Sequence, residues 1–159
     1  MAKQLISKLK MADITYKGDT LRTATATAVI STKPEVIKLI KEKKIEKGDV
    51  FTVAKIAGIM AAKKTSDIVP LCHPLLLTKV NISINIENKN IIKVESRVVT
   101  CGKTGPDVEA MISASIAAVS IYDMCKQFDR AMSINNVSLE EKTGGKSGKY
   151  VRKASKKRS

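Results

Sequence analysis

The chain changes from helix to strand around one stretch, Ile68-Val69-Pro70-Leu71-Cys72-His73-Pro74-Leu75-Leu76-Leu77, which also holds its only histidine. A residue before proline is pushed out of the helical region, so we expect Val69 and His73 to be extended and the turn to be stiff. A single imidazole on a rigid apolar turn suits a substrate-orienting or proton-transferring group. A lone histidine in an apolar run is nevertheless more often an ordinary core or turn residue.

Outward from this turn toward the N-terminus, the pattern predicts a strand and then two helices. The segment 21–30 alternates with period two, which places Arg22 at the start of a face of small and apolar residues. Taken alone, Arg22 is most simply an ordinary exposed arginine. Pro34 marks the first turn of a helix. A second helix is predicted from Val50 to Lys64, with Asp49 as its N-cap and enough small residues for close packing.

Toward the C-terminus, two alternating segments, 75–87 and 91–100, predict a β-hairpin. A loop follows, then a long helix from Pro106 to about Arg130 and a short strand over 132–139. The order strand, two helices, hairpin, helix, strand predicts one α+β domain, with an antiparallel sheet and helices packed on one face.

The 159 residues are enough for a single domain with its own core. We predict a flexible leader over residues 1–12, one catalytic domain over 13–148 and a basic disordered tail over 149–159. The N-terminus has no long apolar segment, and no run of apolar residues approaches membrane-spanning length, which favours a cytoplasmic location and no membrane partner.

The net charge of +14 predicts an anionic partner. From Lys146 onward there are seven Lys or Arg and no acid, so the C-terminal segment carries half of this excess. The rest of the chain is still positive, which suits a phosphorylated small molecule or a nucleic acid. Aromatic residues are few, which argues against the stacking surfaces of single-strand binders. A small basic RNA-binding protein is the second hypothesis.

Two segments end like a phosphate-binding P-loop, Gly102-Lys103-Thr104 and Gly145-Lys146-Ser147. The first glycine of that motif is missing from both, because Arg97 and Glu140 occupy the required positions. Nucleotide hydrolysis by a Walker motif is therefore excluded, although either loop can still cradle phosphate through its amides and lysine. The cysteines number three, at wide spacings, so neither a disulfide nor a zinc site is supported and no metal is expected.

The long helix carries a charged pair, Asp123 and Lys126, near the end of an otherwise apolar sequence. At a spacing of three residues the pair is either a simple ion pair or a general acid–base couple with altered pKa values. From the pattern alone, the simple ion pair is favoured.

Several segments of the chain match those of a known family, in the same order, over about residues 13 to 150. They are Lys47-Gly48-Asp49-Val50-Phe51, Ile56-Ala57-Gly58-Ile59 with Ala61-Ala62-Lys63, Pro70-Leu71-Cys72-His73-Pro74-Leu75, Gly102-Lys103-Thr104-Gly105, Ile121-Tyr122-Asp123-Met124-Cys125-Lys126 and Lys142-Thr143-Gly144-Gly145-Lys146-Ser147-Gly148. The chain resembles the cyclic pyranopterin monophosphate synthase family, the accessory protein C of molybdenum cofactor biosynthesis. Its Leu-Cys-His-Pro-Leu and Tyr-Asp-Met-Cys-Lys blocks are the most specific part of the resemblance.

The resemblance implies a ferredoxin-like α+β fold and a homohexamer, a trimer of dimers with active sites at the dimer interface. It implies a lyase that converts (8S)-3',8-cyclo-7,8-dihydroguanosine 5'-triphosphate to cyclic pyranopterin monophosphate and releases pyrophosphate. No cofactor is implied, and a nucleic-acid partner is disfavoured.

The resemblance also assigns roles to residues of this chain. Asp123 matches the catalytic aspartate and Lys126 its partner lysine, and catalytic roles are implied for Lys47 and His73. Substrate contacts are implied for Leu71, Cys72, His73, Val108, Glu109, Arg22, Lys142 and Lys146. The chain departs from the family at three adjacent positions, Pro106, Asp107 and Val108, where a small aliphatic residue, a glutamate and a methionine are usual.

The chemistry of these residues suits the implied reaction. A triphosphate needs several cations, and the basic residues lie in separate elements that can converge on it. We expect Asp123 on an apolar helix face and Lys126 buried enough to lower its pKa toward neutrality, so that it exchanges protons. Lys47, on a glycine-containing turn, is expected to clamp phosphate.

Overall fold

The structure, a computed structural model, describes residues 9–146 and 148–153. Residues 1–8 of the predicted leader and residues 154–159 of the predicted tail lie outside the described residues. Ser147, in the second phosphate-loop-like segment, also lies outside them.

Within the described residues the chain forms five strands and four helices. In chain order they are β1 (Thr20–Ser31), α1 (Pro34–Lys41), α2 (Val50–Lys63), α3 (Thr65–Ile68), β2 (Leu77–Ile86), β3 (Ile91–Gly102), α4 (Asp107–Cys125), β4 (Ser133–Thr143) and β5 (Tyr150–Val151). The strands make one sheet in the order β2-β3-β1-β4-β5, and all neighbours are antiparallel. This is a ferredoxin-like β-α-β-β-α-β arrangement with one strand added at the edge, and it confirms the predicted α+β class.

The two central elements, β1 and α4, pack closely because the residues between them are small. Ala24, Ala26 and Ala28 of β1 are completely buried, on the strand face that the alternation predicts. Gly58 of α2 lies so close to α4 that a Cβ there would overlap the Ile82 side chain and the Ser113 carbonyl. The predicted close packing of α2 is therefore confirmed, with α4 and β2 as its neighbours.

A buried carboxylate fastens the end of α4 to the start of α1. Asp129 accepts hydrogen bonds from the Thr32 hydroxyl at 3.1 Å and from the backbone N–H groups of Lys33 and Ala131, both at 3.0 Å. Burial opposes ionisation of Asp129, but these three hydrogen bonds outweigh it and lower its pKa. The charge therefore completes the N-terminal cap of α1 from across the chain.

Three boundaries differ from the sequence prediction. α4 ends at Cys125 rather than near Arg130, because the chain turns there and the N–H of Phe128 bonds back to the Cys125 carbonyl at 2.9 Å. β4 continues to Thr143, since β1 offers it partners along its whole length. Tyr150–Val151, within the segment predicted as a tail, forms β5 by pairing with β4.

α4 is long and apolar enough to cross a membrane by length and composition alone, contrary to the expectation that no segment approaches that length. Half of it is buried inside the protein, against α2 and the sheet. Its packing is that of the core helix of the domain.

Candidate active site

Site residues predicted from the sequence lie at both ends of α4. Glu109 is in the first turn and Asp123 in the last. Fourteen positions separate them, so at the helical rise of 1.5 Å per residue their Cα atoms are about 21 Å apart. Within one chain the predicted residues therefore do not form a single group.

The first group, the Asp123 cluster, consists of Lys47, Asp123 and Lys126. Lys126 Nζ lies 2.7 Å from Asp123 Oδ1, and Lys47 Nζ lies 3.0 Å from Oδ2 and 2.9 Å from the Asp123 carbonyl oxygen. The hydrogen bonds from Lys126 and then Lys47 lower the pKa of Asp123. The cluster is thus an ionised carboxylate held between two ammonium groups.

Two expectations about Lys126 are wrong. Its side chain is 51% exposed rather than buried, beside an Asp123 side chain that is 54% exposed. Because Lys126 is bonded to a carboxylate at the surface, its pKa is raised rather than lowered. In the single chain Lys126 is a stable cation.

The second group, the Glu109 cluster, consists of Cys72, Asp107, Glu109 and Lys142. Glu109 is only 2% exposed, and Cys72 Sγ donates to its Oε1 at 3.5 Å. Within residues 9–146 and 148–153, Oε2 of Glu109 is buried with no hydrogen-bond partner. Lys142 Nζ on β4 lies 2.8 Å from Asp107 Oδ2, at the start of α4.

Burial controls ionisation in the Glu109 cluster. It raises the pKa of Glu109, and burial followed by the Glu109 carboxyl raises the pKa of the Cys72 thiol to about 11. Cys72 is therefore a protonated hydrogen-bond donor at neutral pH, not a thiolate nucleophile. Because Glu109 is only 2% exposed, a ligand would have to open this pocket to bond to Oε2.

Arg22 and Lys146 line a cavity of about 410 Å³ near the N-terminal end of α4. The other lining residues are Tyr16, Lys17, Gly18, Thr20 and Gly145. Arg22 Nε donates to the Gly102 carbonyl at 2.8 Å, so the guanidinium is anchored beside the first phosphate-loop-like segment. Gly144 has φ +96°, and a Cβ there would collide with the Leu21 carbonyl, so glycine is required for this close approach.

The proline-bounded turn joins α3 to β2 and carries Leu71, Cys72 and His73. Val69 is extended, with φ −110° and ψ 103°, as predicted. Leu71 is exposed and His73 is half-buried. Val108, beside Glu109 in the chain, is exposed on α4. The turn places Cys72 against Glu109, which the sequence spacing alone does not reveal.

The sequence analysis missed two groups. Asp107 was noted only as a departure from the family, although it bonds directly to Lys142. Lys17 contributes a further cation to the Arg22 cavity, and nothing in its local sequence distinguishes it from other surface lysines. In the described part of the chain, the three cysteines are free, and no three His, Cys, Asp or Glu side chains are grouped as metal ligands.

The fold and these groups define a class of protein, a ferredoxin-like α+β domain with a cation-rich site suited to an anionic small molecule. The sequence profile of the MoaC family matches residues 11–145. The chain belongs to this family.

Curated relatives agree with this assignment. Proteins named cyclic pyranopterin monophosphate synthase are similar to nearly the whole chain. The protein of Listeria monocytogenes is 49% identical over 147 residues, 92% of this chain and 92% of its own. The proteins of Heliobacterium modesticaldum and Brevibacillus brevis are each 47% identical, over 90% and 92% of this chain and 91% of their own lengths.

Proposed function

We propose that the chain is an enzyme of molybdenum cofactor biosynthesis that forms cyclic pyranopterin monophosphate. Its substrate is (8S)-3',8-cyclo-7,8-dihydroguanosine 5'-triphosphate, and pyrophosphate is the second product. The observation that carries this proposal is 49% identity over 92% of the chain to proteins named for this synthesis. We place the reaction in the cytoplasm, without a redox cofactor.

The Arg22 cavity is the proposed site of the triphosphate. It combines three cationic side chains, Arg22, Lys17 and Lys146, in one opening of about 410 Å³. A guanidinium offers paired N–H donors to phosphate oxygens, and lysines add point charges. Positive charge at this position also stabilises pyrophosphate as it leaves the α-phosphorus.

The Glu109 cluster is the proposed site of the guanine-derived ring. The ring carries N–H donors, and Glu109 has a buried Oε2 without a partner in the described residues. An unpaired buried polar atom is costly, so a ligand that bonds to it is favoured over one that does not. Cys72, kept protonated, fixes the other carboxylate oxygen.

The Asp123 cluster is the proposed site of proton transfer. Opening and reclosing the ring requires a base and an acid. Asp123 is ionised and accepts a proton, while the Lys126 and Lys47 ammonium groups donate to developing anions. His73 is a second titratable candidate, on the turn that carries Cys72.

These assignments require two chains, because the Asp123 cluster is about 21 Å from the Glu109 cluster on one helix. The exposed face of α4 carries apolar residues between the two ends, among them Ile116 and Val119. Two copies of α4 packed antiparallel about a two-fold axis near Ile116 would set Asp123 of one protomer beside Val108 and Glu109 of its partner. Ile116 lies midway between these ends, so both contacts form together in an isologous interface.

The neighbouring helix α2 enlarges this apolar surface. Val53, Ile56 and Met60 share one face of α2 and are 40%, 52% and 62% exposed. An exposed apolar patch of this kind marks an interaction site. We therefore propose a dimer with shared sites, assembled further into the hexamer that the family resemblance implies.

The direct test is incubation of the purified chain with the cyclised dihydroguanosine triphosphate, followed by assay of both products. We expect equimolar pyrophosphate and pterin from the unmodified protein. Lack of both products from a folded, assembled protein would contradict the proposal.

The second candidate, RNA binding, is favoured by the net charge of +14 and by the basic C-terminal segment. Removing residues 152–159 keeps β5 and deletes five basic residues. The synthase proposal predicts nearly unchanged turnover for this truncated chain. The RNA proposal predicts a lost nucleic-acid affinity, measured by titration at fixed salt.

A further inference from the structure

An ion pair joins the start of α4 to β4 at the edge of the Glu109 cluster. Lys142 Nζ lies 2.8 Å from Asp107 Oδ2. Both side chains are partly buried, with exposed fractions of 40% for Lys142 and 28% for Asp107. The surface pair Lys64–Asp67 is more exposed, at 73% and 60%.

The backbone beside Asp107 leaves room for its carboxylate. A Cβ added to Gly105 would come within 2.8 Å of Asp107 Oδ1, inside contact distance. Glycine at this position therefore allows the carboxylate to occupy the space over the loop while its other oxygen holds Lys142. Asp107 is also the first residue of α4, where a negative charge is favoured by the helix dipole.

The charge of Asp107 affects the ionisation of the other groups in the Glu109 cluster. After the larger effect of burial, its negative charge helps to raise the pKa of both Cys72 and Glu109. Lys142, held against Asp107, is therefore a cation at the margin of the buried Glu109 cluster. An ammonium in that position is available to an anionic group of a bound ligand.

We infer that Asp107 is a positioning residue, which holds the Lys142 ammonium at the Glu109 cluster for an anionic group of the substrate. The inference rests on the proposed function. It gives a role to Asp107, which the family resemblance marks only as a position where a glutamate is usual. A lysine has four rotatable side-chain bonds, so without Asp107 its ammonium would spread over many positions. Small misplacements of a positioning group are costly to binding and rate.

The test is steady-state turnover of Asp107→Asn, which removes the charge and keeps the shape. We expect KM for the cyclised triphosphate to rise about tenfold while kcat changes less than about twofold. Asp107→Glu restores a carboxylate and should recover most of the affinity. Lys142→Met should match Asp107→Asn, and the double variant should be no worse than Lys142→Met alone.

Glu141→Gln is the matched control. Glu141 lies on β4 and also pairs with a lysine, Lys149, but this pair is on the exposed surface. This variant should leave KM and kcat unchanged. An Asp107→Asn variant with unchanged KM, or effects that add in the double variant, would overturn the inference. If the unmodified enzyme forms no product, the proposed function fails instead. If Asp107→Asn does not fold, Lys142→Met against Lys142→Arg still tests whether an ammonium there sets KM.

Discussion

The two ends of α4 carry carboxylates whose chemistry is set in opposite ways. Asp123 lies at the surface between two ammonium groups, which lower its pKa. Glu109 is 2% exposed, and burial raises its pKa. Cations and desolvation act in opposite directions, so one helix carries a carboxylate whose ionised form is favoured at one end and a carboxyl group whose protonated form is favoured at the other.

The largest effect is expected from Asp123→Asn, which removes the base at the exposed end. Turnover should fall at least about a thousandfold, the range of a lost general base combined with lost electrostatic support. Stability should change little, because exposed ion pairs contribute about 0–1 kcal/mol. Pyrophosphate release and thermal unfolding check the two halves of this prediction, and near-normal turnover would exclude Asp123 as the base.

A charge placed on α4 midway between the two clusters should dissociate the dimer without contacting either cluster. Ile116→Asp places a carboxylate on the exposed face of α4, about 10 Å along the helix from each cluster. We expect loss of the oligomer by sedimentation, with turnover reduced about a hundredfold or more. Val137→Asp is the control, because Val137 and Ile116 are both 37% exposed and Val137 lies on β4. A fully active monomer would contradict the shared site.

At the buried end, Glu109→Gln should change activity and stability in opposite directions. The raised pKa of Glu109 means that the folded state holds this proton more tightly than the unfolded state. Its contribution to stability is therefore complete below the ordinary carboxyl pKa and is lost as pH rises through the folded value. Glutamine does not ionise, so the Glu109→Gln variant does not lose this stability as the pH rises.

We expect Glu109→Gln to be more stable than the unmodified protein at pH 7 by about 1 kcal/mol, and equally stable or less so at pH 4. Turnover should fall about a hundredfold, because the substitution replaces one of the two oxygens that can bond to the ligand by an NH₂ group. Denaturant unfolding at the two pH values measures the sign. A variant less stable than the unmodified protein at both pH values would contradict a pKa raised by burial.

Part of this comparison was predictable from sequence. The period of two in β1 and the helical period in α2 predict their buried faces, because a regular repeat fixes which side chains point inward. The ionisation of Lys126 and Glu109 was not predictable. It depends on which residues surround each group, and Cys72 meets Glu109 only because the proline-bounded turn folds against α4. β5 was missed because two residues carry too little pattern to indicate a strand.

The smallest effect is expected where α2 packs against α4 and β2. Gly58→Ala should destabilise the fold by about 1–3 kcal/mol, because the added methyl overlaps Ile82 and the Ser113 carbonyl. Gly18→Ala is the control, since a Cβ there meets nothing within 4 Å. Denaturant midpoints of the two variants compare them directly, and equal midpoints would show that α2 and α4 adjust without cost.

The measurement that tests the shared site most directly is complementation between two inactive chains. Asp123→Asn and Glu109→Gln are co-expressed with different tags, and mixed assemblies are isolated through both tags. In a mixed dimer one site carries both substitutions and the other carries neither, so half of its sites are intact. We predict that turnover recovers to about half of the unmodified value per mixed dimer, far above either variant alone. Mixed assemblies that are no more active than the separate variants would contradict a site built from both ends of α4 on different chains.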